Sequence, residues 1–232
     1  MQTPARLAAL FTALLTTALL FAGCSSSKSS EPLPDGATLL KDSEQTTRNL
    51  QSVHLDLNVT GEIKGLPIAK LTGDLTNTPA VAAQGKADIV FLGQKVSDVD
   101  FVVDEGKLFG ALTPGSWSDF GPAADVYDVS AILNPDAGLA NVLANFSDPK
   151  AEAHETVNGV DAVKVTGTVS ADAVNKIAPS IAATAPVPGT AWIRPDGNHE
   201  LVQSKLDITK DSNVQMTMSK WGEPVTVTKP AV

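Results

Sequence analysis

The chain has one cysteine, Cys24, and its thiol is the most reactive side chain in the sequence. Cys24 follows one basic residue, Arg6, an uncharged and mostly apolar run from Leu7 to Phe21, and two small residues. This order of a positive end, an apolar run and small residues is that of a secretory signal peptide. The run is also shorter than the ~20 residues that a stable bilayer span needs. Residues 1–23 are therefore predicted to be an export signal.

The residues before Cys24 resemble the lipobox of bacterial lipoproteins, in which the thiol receives a diacylglycerol and the signal is cleaved just before it. One position departs from the usual pattern: Phe21 stands three residues before Cys24, where leucine is commonest, and leucine occurs one place earlier as Leu20. This departure puts only the efficiency of signal cleavage and acylation in question. An ordinary signal peptide with an incidental cysteine is the alternative. Once Cys24 is acylated, no thiol remains for a disulfide, for catalysis or for a metal.

The other side chains that could do chemistry are three histidines and a group of acidic residues. The histidines are His54, His154 and His199. Each lies in or beside a predicted strand, at a position expected to face solvent, and none has a second histidine at metal-ligand spacing. The densest acidic group is Asp98, Asp100 and Asp104, for which a cation site is one interpretation and a solvated strand face the favoured one. No nucleophile elbow, P-loop or dinucleotide-binding motif occurs, so we expect no enzyme, no metal and no cofactor.

Charge and length restrict the partners and the number of domains. Arg6 is the only charged residue before Cys24, so cleavage takes the formal net charge from −9 to −10 and leaves 209 of the 232 residues. An acidic chain of this kind is not attracted to nucleic acid or to an anionic membrane surface, so attachment must come from lipid on Cys24. Residues 24–35 are predicted to be the lipidated cysteine and a Ser-rich linker, and residues 36–232 one domain.

Periodicity in residues 36–232 indicates an α+β fold. Asp35 is expected to cap a helix that runs to about Gln51. Alternating apolar residues predict about ten antiparallel strands, which are expected at residues 53–60, 68–76, 86–91, 98–103, 108–113, 151–157, 160–169, 190–194 and 199–209, with further strand residues at Val214, Met216, Met218, Val225 and Val227. Residues 117–122 are predicted to be a loop, Asn134 to start an amphipathic helix that reaches Phe146, and Ser170 to start a short helix. A sheet of this length curls, and helices are expected on one of its faces.

Several stretches resemble the LppX/LprA/LprF/LprG family of mycobacterial lipoproteins. They are residues 73–76, 100–103, 117–125, 133–136, 138–146 and 220–223, together with the lipobox. The resemblance runs through nearly the whole chain after Cys24. It implies a half-barrel antiparallel sheet covered by helices, with a large apolar cavity between the two layers. It also implies carriage of acylated lipids and glycolipids, among them triacylated species such as phosphatidylinositol mannosides, lipoarabinomannan and triacylglycerol, and a partner that is a major-facilitator export pump.

Combined with the strand pattern, the resemblance predicts which residues line the cavity. The candidates are Leu55, Leu57, Val59, Leu71, Leu75, Ala87, Ile89, Phe91, Val99, Phe101, Val103, Leu139, Val142, Leu143 and Phe146, with Trp117 and Phe120 at the rim. On the third strand the opposite-parity set, Val90 and Leu92, is an alternative to Ala87, Ile89 and Phe91. The helix that contains Leu139 either packs tightly on the sheet as a plain core or stands off and leaves room for acyl chains, and the sequence does not distinguish the two.

The sequence allows three functions to be compared. The first is a monomeric carrier, anchored through Cys24 to the outer leaflet of the plasma membrane and facing the periplasm, with a fraction of the molecules unacylated or released. The second is a tethered adaptor that stabilises a membrane transporter and has no lipid cargo of its own. The third is an acyl hydrolase, which the absence of a nucleophile motif disfavours.

Overall fold

The architecture is an open antiparallel sheet of eleven strands, seen in a computed structural model that describes residues 32–232. The strands are β1 Ser52–Thr60, β2 Ile68–Thr76, β3 Ala82–Phe91, β4 Gln94–Asp104, β5 Lys107–Thr113, β6 Ser116–Pro122, β7 Phe146–Val157, β8 Val160–Val169, β9 Val187–Ile193, β10 Leu201–Thr209 and β11 Ser212–Ser219. The predicted signal peptide, most of the linker and Cys24 lie outside the described residues.

The first and last strands pair at the centre of the sheet. Its strand order is β6-β5-β4-β3-β2-β1-β11-β10-β9-β8-β7, with every neighbouring pair antiparallel. The pairing of β1 with β11 sets Leu55 opposite Met218 and Val59 opposite Val214. Strands β6 and β7 form the two edges, so the sheet does not close into a barrel.

A pair of aromatic rings shows how strongly the sheet curls. Phe91 of β3 and Phe120 of β6 meet edge to face with ring centroids 6.5 Å apart. Three inter-strand spacings separate β3 from β6, which in a flat sheet is ~14 Å. The register between β3 and β4 also shifts beside Ala87, and Asp98 there has a φ of 56°, a bulge that bends the strands. The predicted curled antiparallel sheet is confirmed.

Helices cover the concave face of the sheet. They are α1 Gly36–Arg48, α2 Leu139–Ala144 and α3 Ala171–Ile177. Asp35 caps α1 as predicted, because its carboxylate accepts the backbone N–H of Thr38 at 2.8 Å. Helix α1 contacts β7 and β9, and α2 packs between α1 and α3. The three α-helices therefore lie over the half of the sheet that contains β7 to β11. The 3₁₀ helix Val129–Leu133 contacts β2 and β3 in the other half.

Three local predictions are wrong. Residues 117–122 belong to the edge strand β6 and do not form a loop. The predicted helix from Asn134 to Phe146 starts only at Leu139, and Phe146 is the first residue of β7. Val225 and Val227 lie in a C-terminal segment without regular structure and add no strand. Within residues 32–232 no helix has both the length and the hydrophobicity to span a bilayer.

Candidate functional site

An apolar cavity lies between the first half of the sheet and the segment that follows β6. Its lining residues are Ile68, Leu71, Ala87, Ile89, Phe91, Val99, Phe101, Val103, Leu108, Gly110, Leu112, Phe120, Val126, Tyr127 and Val129. The cavity volume is about 110 Å³, and the unfilled space rises to about 690 Å³ only when the open solvent at the mouth is included. The cavity itself is therefore smaller than a usual ligand pocket of ~300–1,000 Å³.

Strand periodicity explains the sheet side of the cavity. Successive side chains of a strand point to opposite faces, so every second residue of β4 (Val99, Phe101 and Val103) projects into the same space. The same alternation on β5 brings in Leu108 and Leu112. The wall opposite the sheet comes from the segment between β6 and the 3₁₀ helix Val129–Leu133.

Gly110 makes room for the ring that closes one side of the cavity. A Cβ atom at Gly110 would stand 2.9 Å from the ring of Phe120, closer than packed carbon atoms approach. The absent side chain lets Phe120 fold over β5 and reach Phe91. The two rings are 39 % and 36 % exposed, which places them between the apolar interior and solvent.

The chemistry of the cavity is that of a hydrocarbon surface. None of its lining side chains is charged, and the Tyr127 hydroxyl is the single polar side-chain group among them. Burial, with a smaller contribution from the charge of Asp128, raises the pKa of Tyr127, so this hydroxyl stays neutral. The lining offers no general acid, base or nucleophile to a bound molecule. It can hold an apolar chain through contact area, which is worth ~0.8 kcal/mol for each buried CH₂ group.

Comparison with known proteins identifies the family. Residues 35–227 match the model of the LppX_LprAFG lipoprotein family. The chain belongs to this family. Curated LppX_LprAFG relatives include the lipoarabinomannan carrier protein LprG of Mycolicibacterium smegmatis, 58% identical over 236 residues, and that of Mycobacterium tuberculosis, 50% identical over 237 residues; each alignment covers 100% of both chains.

Solved LppX_LprAFG structures have the same fold. The crystal structure of LprF from Mycobacterium bovis superposes with a TM-score of 0.78 at 30% identity, over 87% of this chain and 100% of that one. The lipoprotein LppX of Mycobacterium tuberculosis gives a TM-score of 0.65 at 28% identity, over 83% of this chain and 97% of that one. The family resemblance predicted from the sequence is confirmed.

Some predicted site residues line the cavity and others lie elsewhere. Leu71, Ala87, Ile89, Phe91, Val99, Phe101 and Val103 line it, as does the predicted rim residue Phe120. On β3 the side chains that point inward are thus Ala87, Ile89 and Phe91, whereas Val90 and Leu92 are exposed. Whether these residues contact lipid stays a prediction.

The remaining candidates lie outside the cavity lining. Leu55, Leu57, Leu75, Leu139, Val142 and Leu143 are buried in the core, Val59 and Phe146 pack on it half-buried, and Trp117 is half-buried on β6. Helix α2 packs against α1, so it forms plain core and does not roof the cavity.

Seven of the fifteen lining residues were not predicted from the sequence. They are Ile68, Leu108, Gly110, Leu112, Val126, Tyr127 and Val129. Those on β2 and β5 follow the same period of two as their neighbours, so the strand pattern contained the signal for them. Val126 and Tyr127 lie in a segment without periodicity, and only the tertiary fold brings them to the site.

The polar residues considered for chemistry form no site of their own. The three histidines are partly exposed. Nδ1 of His54 lies 2.6 Å from a carboxylate oxygen of Asp74, and His199 contacts a backbone carbonyl. Asp100 pairs with Lys86 at 2.7 Å. Across residues 32–232 no group of three or more histidine, cysteine or acidic side chains could hold a metal ion.

Proposed function

We propose that this chain is a membrane-anchored lipid carrier. The acyl chains of its cargo occupy the cavity between β2–β6 and the Val126–Val129 segment, and the polar headgroup stays at the mouth. The observation that carries the proposal is the open cavity of fifteen residues without a charged side chain. A lipoarabinomannan carrier protein 58% identical over the whole chain supports it.

The cargo we propose is acylated lipids and glycolipids, including triacylated phosphatidylinositol mannosides, lipoarabinomannan and triacylglycerol. The cavity of about 110 Å³ holds part of one acyl chain, because pockets that enclose molecules of drug size measure ~300–1,000 Å³. A whole acyl chain, and still more a cargo with three, needs more room. We therefore expect the Val126–Val129 segment to move away from the sheet during loading of such a cargo.

The anchor confines the carrier to one membrane. We propose that lipid on Cys24 holds the protein at the outer leaflet of the plasma membrane, facing the periplasm, with a fraction of the molecules released. A tether from Cys24 to Gly36 spans at most ~40 Å at the reach of an extended chain. This distance does not let the domain cross the cell envelope, so cargo passes to or from other components, and we propose a major-facilitator export pump as the partner.

Mass spectrometry of bound lipid tests this function. The Cys24→Ala variant is expressed in a mycobacterium and purified, and its non-covalent lipids are extracted and quantified against the protein. The substitution removes the covalent acyl groups that would otherwise contribute to the extract. Diacyl or triacyl lipids close to one molecule per protein support the carrier. A protein that is empty after mild purification would instead favour the adaptor without lipid cargo.

A further inference from the structure

Exposed apolar side chains concentrate around the mouth of the cavity. Within residues 32–232 the large hydrophobic side chains exposed to solvent are Leu33, Val81, Val90, Phe91, Leu92, Leu112, Phe120, Val126 and Val232. Four of these nine line the cavity, and two more, Val90 and Leu92, adjoin Phe91 in the chain. Clustering of this kind differs from the single exposed apolar residues that are normal on a soluble surface.

The β3–β4 turn carries the most exposed of these side chains. Leu92 is 88 % exposed and stands with Gly93 at the tip of the hairpin, where Phe91 pairs with Gln94. The hairpin also projects beyond β5 on one side, because β5 pairs with β4 only from Asp100 onward, whereas β2 accompanies β3 as far as Ile89 on the other side. The bulge at the base of this projection bends it, and Phe91 reaches over to Phe120.

Leu92 is an unsuitable residue for the turn in which it lies. Its φ is 51° and that of Gly93 is 77°, the conformation that asparagine and glycine favour in two-residue hairpins. Two other turns have the same form, and their first positions hold polar residues, Glu105 and Asn158. A leucine in the left-handed region is strained, and the exposed side chain of Leu92 makes no packing contacts that would offset this strain. The stability of the fold therefore does not account for Leu92.

We propose that the β3–β4 turn, Val90 to Lys95, inserts into the surface of a phospholipid bilayer and brings the mouth of the cavity against it. This docking rests on the proposed carrier function. The segment contains no acidic residue, although the whole chain has a formal net charge of −9. Continuity between the exposed tip and the apolar lining gives an acyl chain a route from bilayer to cavity without exposure to water.

The direction of α1 is consistent with this docking. The helix starts at Gly36, beside Ala151, and runs toward the β9–β10 turn, where Thr46 donates a hydrogen bond to the carbonyl of Asn198. The β9–β10 turn lies at the end of the sheet opposite to the β3–β4 turn. The N-terminus of α1 is therefore directed away from the β9–β10 turn, toward the end of the sheet at which Leu92 lies.

A site-specific probe tests the docking in the full-length acylated protein. With Cys24 acylated, a Gln94→Cys substitution supplies a single thiol at the tip for the fluorophore NBD, and Asp161→Cys supplies one beside the β7–β8 turn at the opposite end. Each labelled protein is reconstituted into phosphatidylcholine vesicles that contain nitroxide-labelled lipid. We expect strong quenching at position 94, weak quenching at position 161, and little effect of salt, because the contact is apolar.

Substitution of the turn leucine provides the decisive comparison. Leu92→Asn in the Gln94→Cys protein should lower the ratio of docked to undocked molecules about tenfold, the equivalent of one leucine lost from an apolar environment. The same variant should raise the melting temperature by about 2–4 °C, because it relieves the strained turn. The matched control is Glu105→Asn, which changes the equivalent turn position at the opposite end and should leave the quenching unchanged.

Three results would overturn the docking proposal. They are equal quenching at positions 94 and 161, quenching at position 94 that Leu92→Asn does not reduce, and a lower melting temperature for Leu92→Asn, which would show that the leucine supports the fold. The lipid extraction described above reports cargo whether or not the tip meets a bilayer. A failure of the carrier function and a failure of the docking proposal are therefore distinguishable.

Discussion

Filling the cavity from β3 should weaken lipid binding a few-hundredfold without unfolding the protein. Ala87 is only 7 % exposed and points into the cavity between Leu71 and Val99, its partners in the register of β2 and β4. Replacement by tryptophan adds nine heavy atoms at this point. A ring of that size takes the space of about nine methylene groups, each worth ~0.8 kcal/mol when buried, so the upper limit of the loss is about 7 kcal/mol.

The expected loss of affinity is smaller than this limit, because part of the ring turns toward the open mouth. If half of the displaced contacts are lost, binding weakens by about 3–4 kcal/mol, which is a few-hundredfold in the dissociation constant. Overpacking of a core by a large side chain costs about 1–3 kcal/mol of stability. The fold should therefore survive, with a melting temperature a few degrees lower.

The assay is titration of the purified Ala87→Trp protein with a fluorescent acyl lipid, together with circular dichroism to verify the fold. The matched control is Lys86→Trp, which places the same ring on the adjacent residue, on the outer face of the strand. Its ion pair with Asp100 is exposed and contributes little to stability. Unchanged lipid affinity in a folded Ala87→Trp protein would refute the assignment of the cavity as the lipid site.

Three further predictions concern the anchor and the stability of the domain. Asp35→Ala should lower the free energy of unfolding by about 1 kcal/mol in chemical denaturation, while Asp35→Asn, which retains a capping oxygen, should change it little. The Lys164 ammonium, with a hydrogen bond from Thr166, holds the pKa of Glu152 below 4.5, so Lys164→Met should raise this pKa in an NMR titration. Because the folded pKa is the lower one, the stabilisation from ionised Glu152 is present above pH 4.5 and is lost as the pH falls through the folded pKa. Cys24→Ala should leave lipid binding in vitro intact and impair membrane retention in cell fractionation, and loss of binding by this variant would show that Cys24 does more than tether the domain.

Strand positions could be predicted where turn chemistry marks both ends of a segment. The Asn158-Gly159 turn and the Ser170 cap delimit β8, and the predicted boundaries, Val160 and Val169, are those of the structure. Edge strand β6 could not be predicted in this way, because Gly121 and Pro122 within it are residues typical of loops. An edge strand tolerates such residues, since one of its sides makes no ladder hydrogen bonds.

The helix between the two halves of the sheet shows how local signals can mislead. Asn134 does cap the backbone, because its side-chain oxygen accepts the N–H groups of Asp136 and Ala137 at 2.9 and 3.0 Å. The turn that it caps does not continue directly into a helix, and α2 starts only at Leu139. Phe146 fits the helical period but lies in β7, where its ring occupies the space left by Gly189.

The cavity could be predicted on its sheet side only. The alternating pattern of β3 did not show which of two sets of side chains points into the cavity. The register with β2 and β4 places Ala87, Ile89 and Phe91 there. The opposite wall depends on where the chain after β6 folds back over the sheet. Val126 and Tyr127 have no periodic pattern around them, so tertiary packing alone places them there.

Photo-crosslinking of a bound lipid tests the central claim most directly, namely that acyl chains occupy the cavity between β2–β6 and the Val126–Val129 segment. The protein is loaded with a phospholipid that carries a diazirine on its acyl chain, irradiated and digested, and the adducts are mapped by mass spectrometry. We predict adducts on residues 99–103 of β4 and on Leu108 of β5, and their loss in Ala87→Trp. Adducts confined to β8, β9 or the outer face of the sheet would contradict the account.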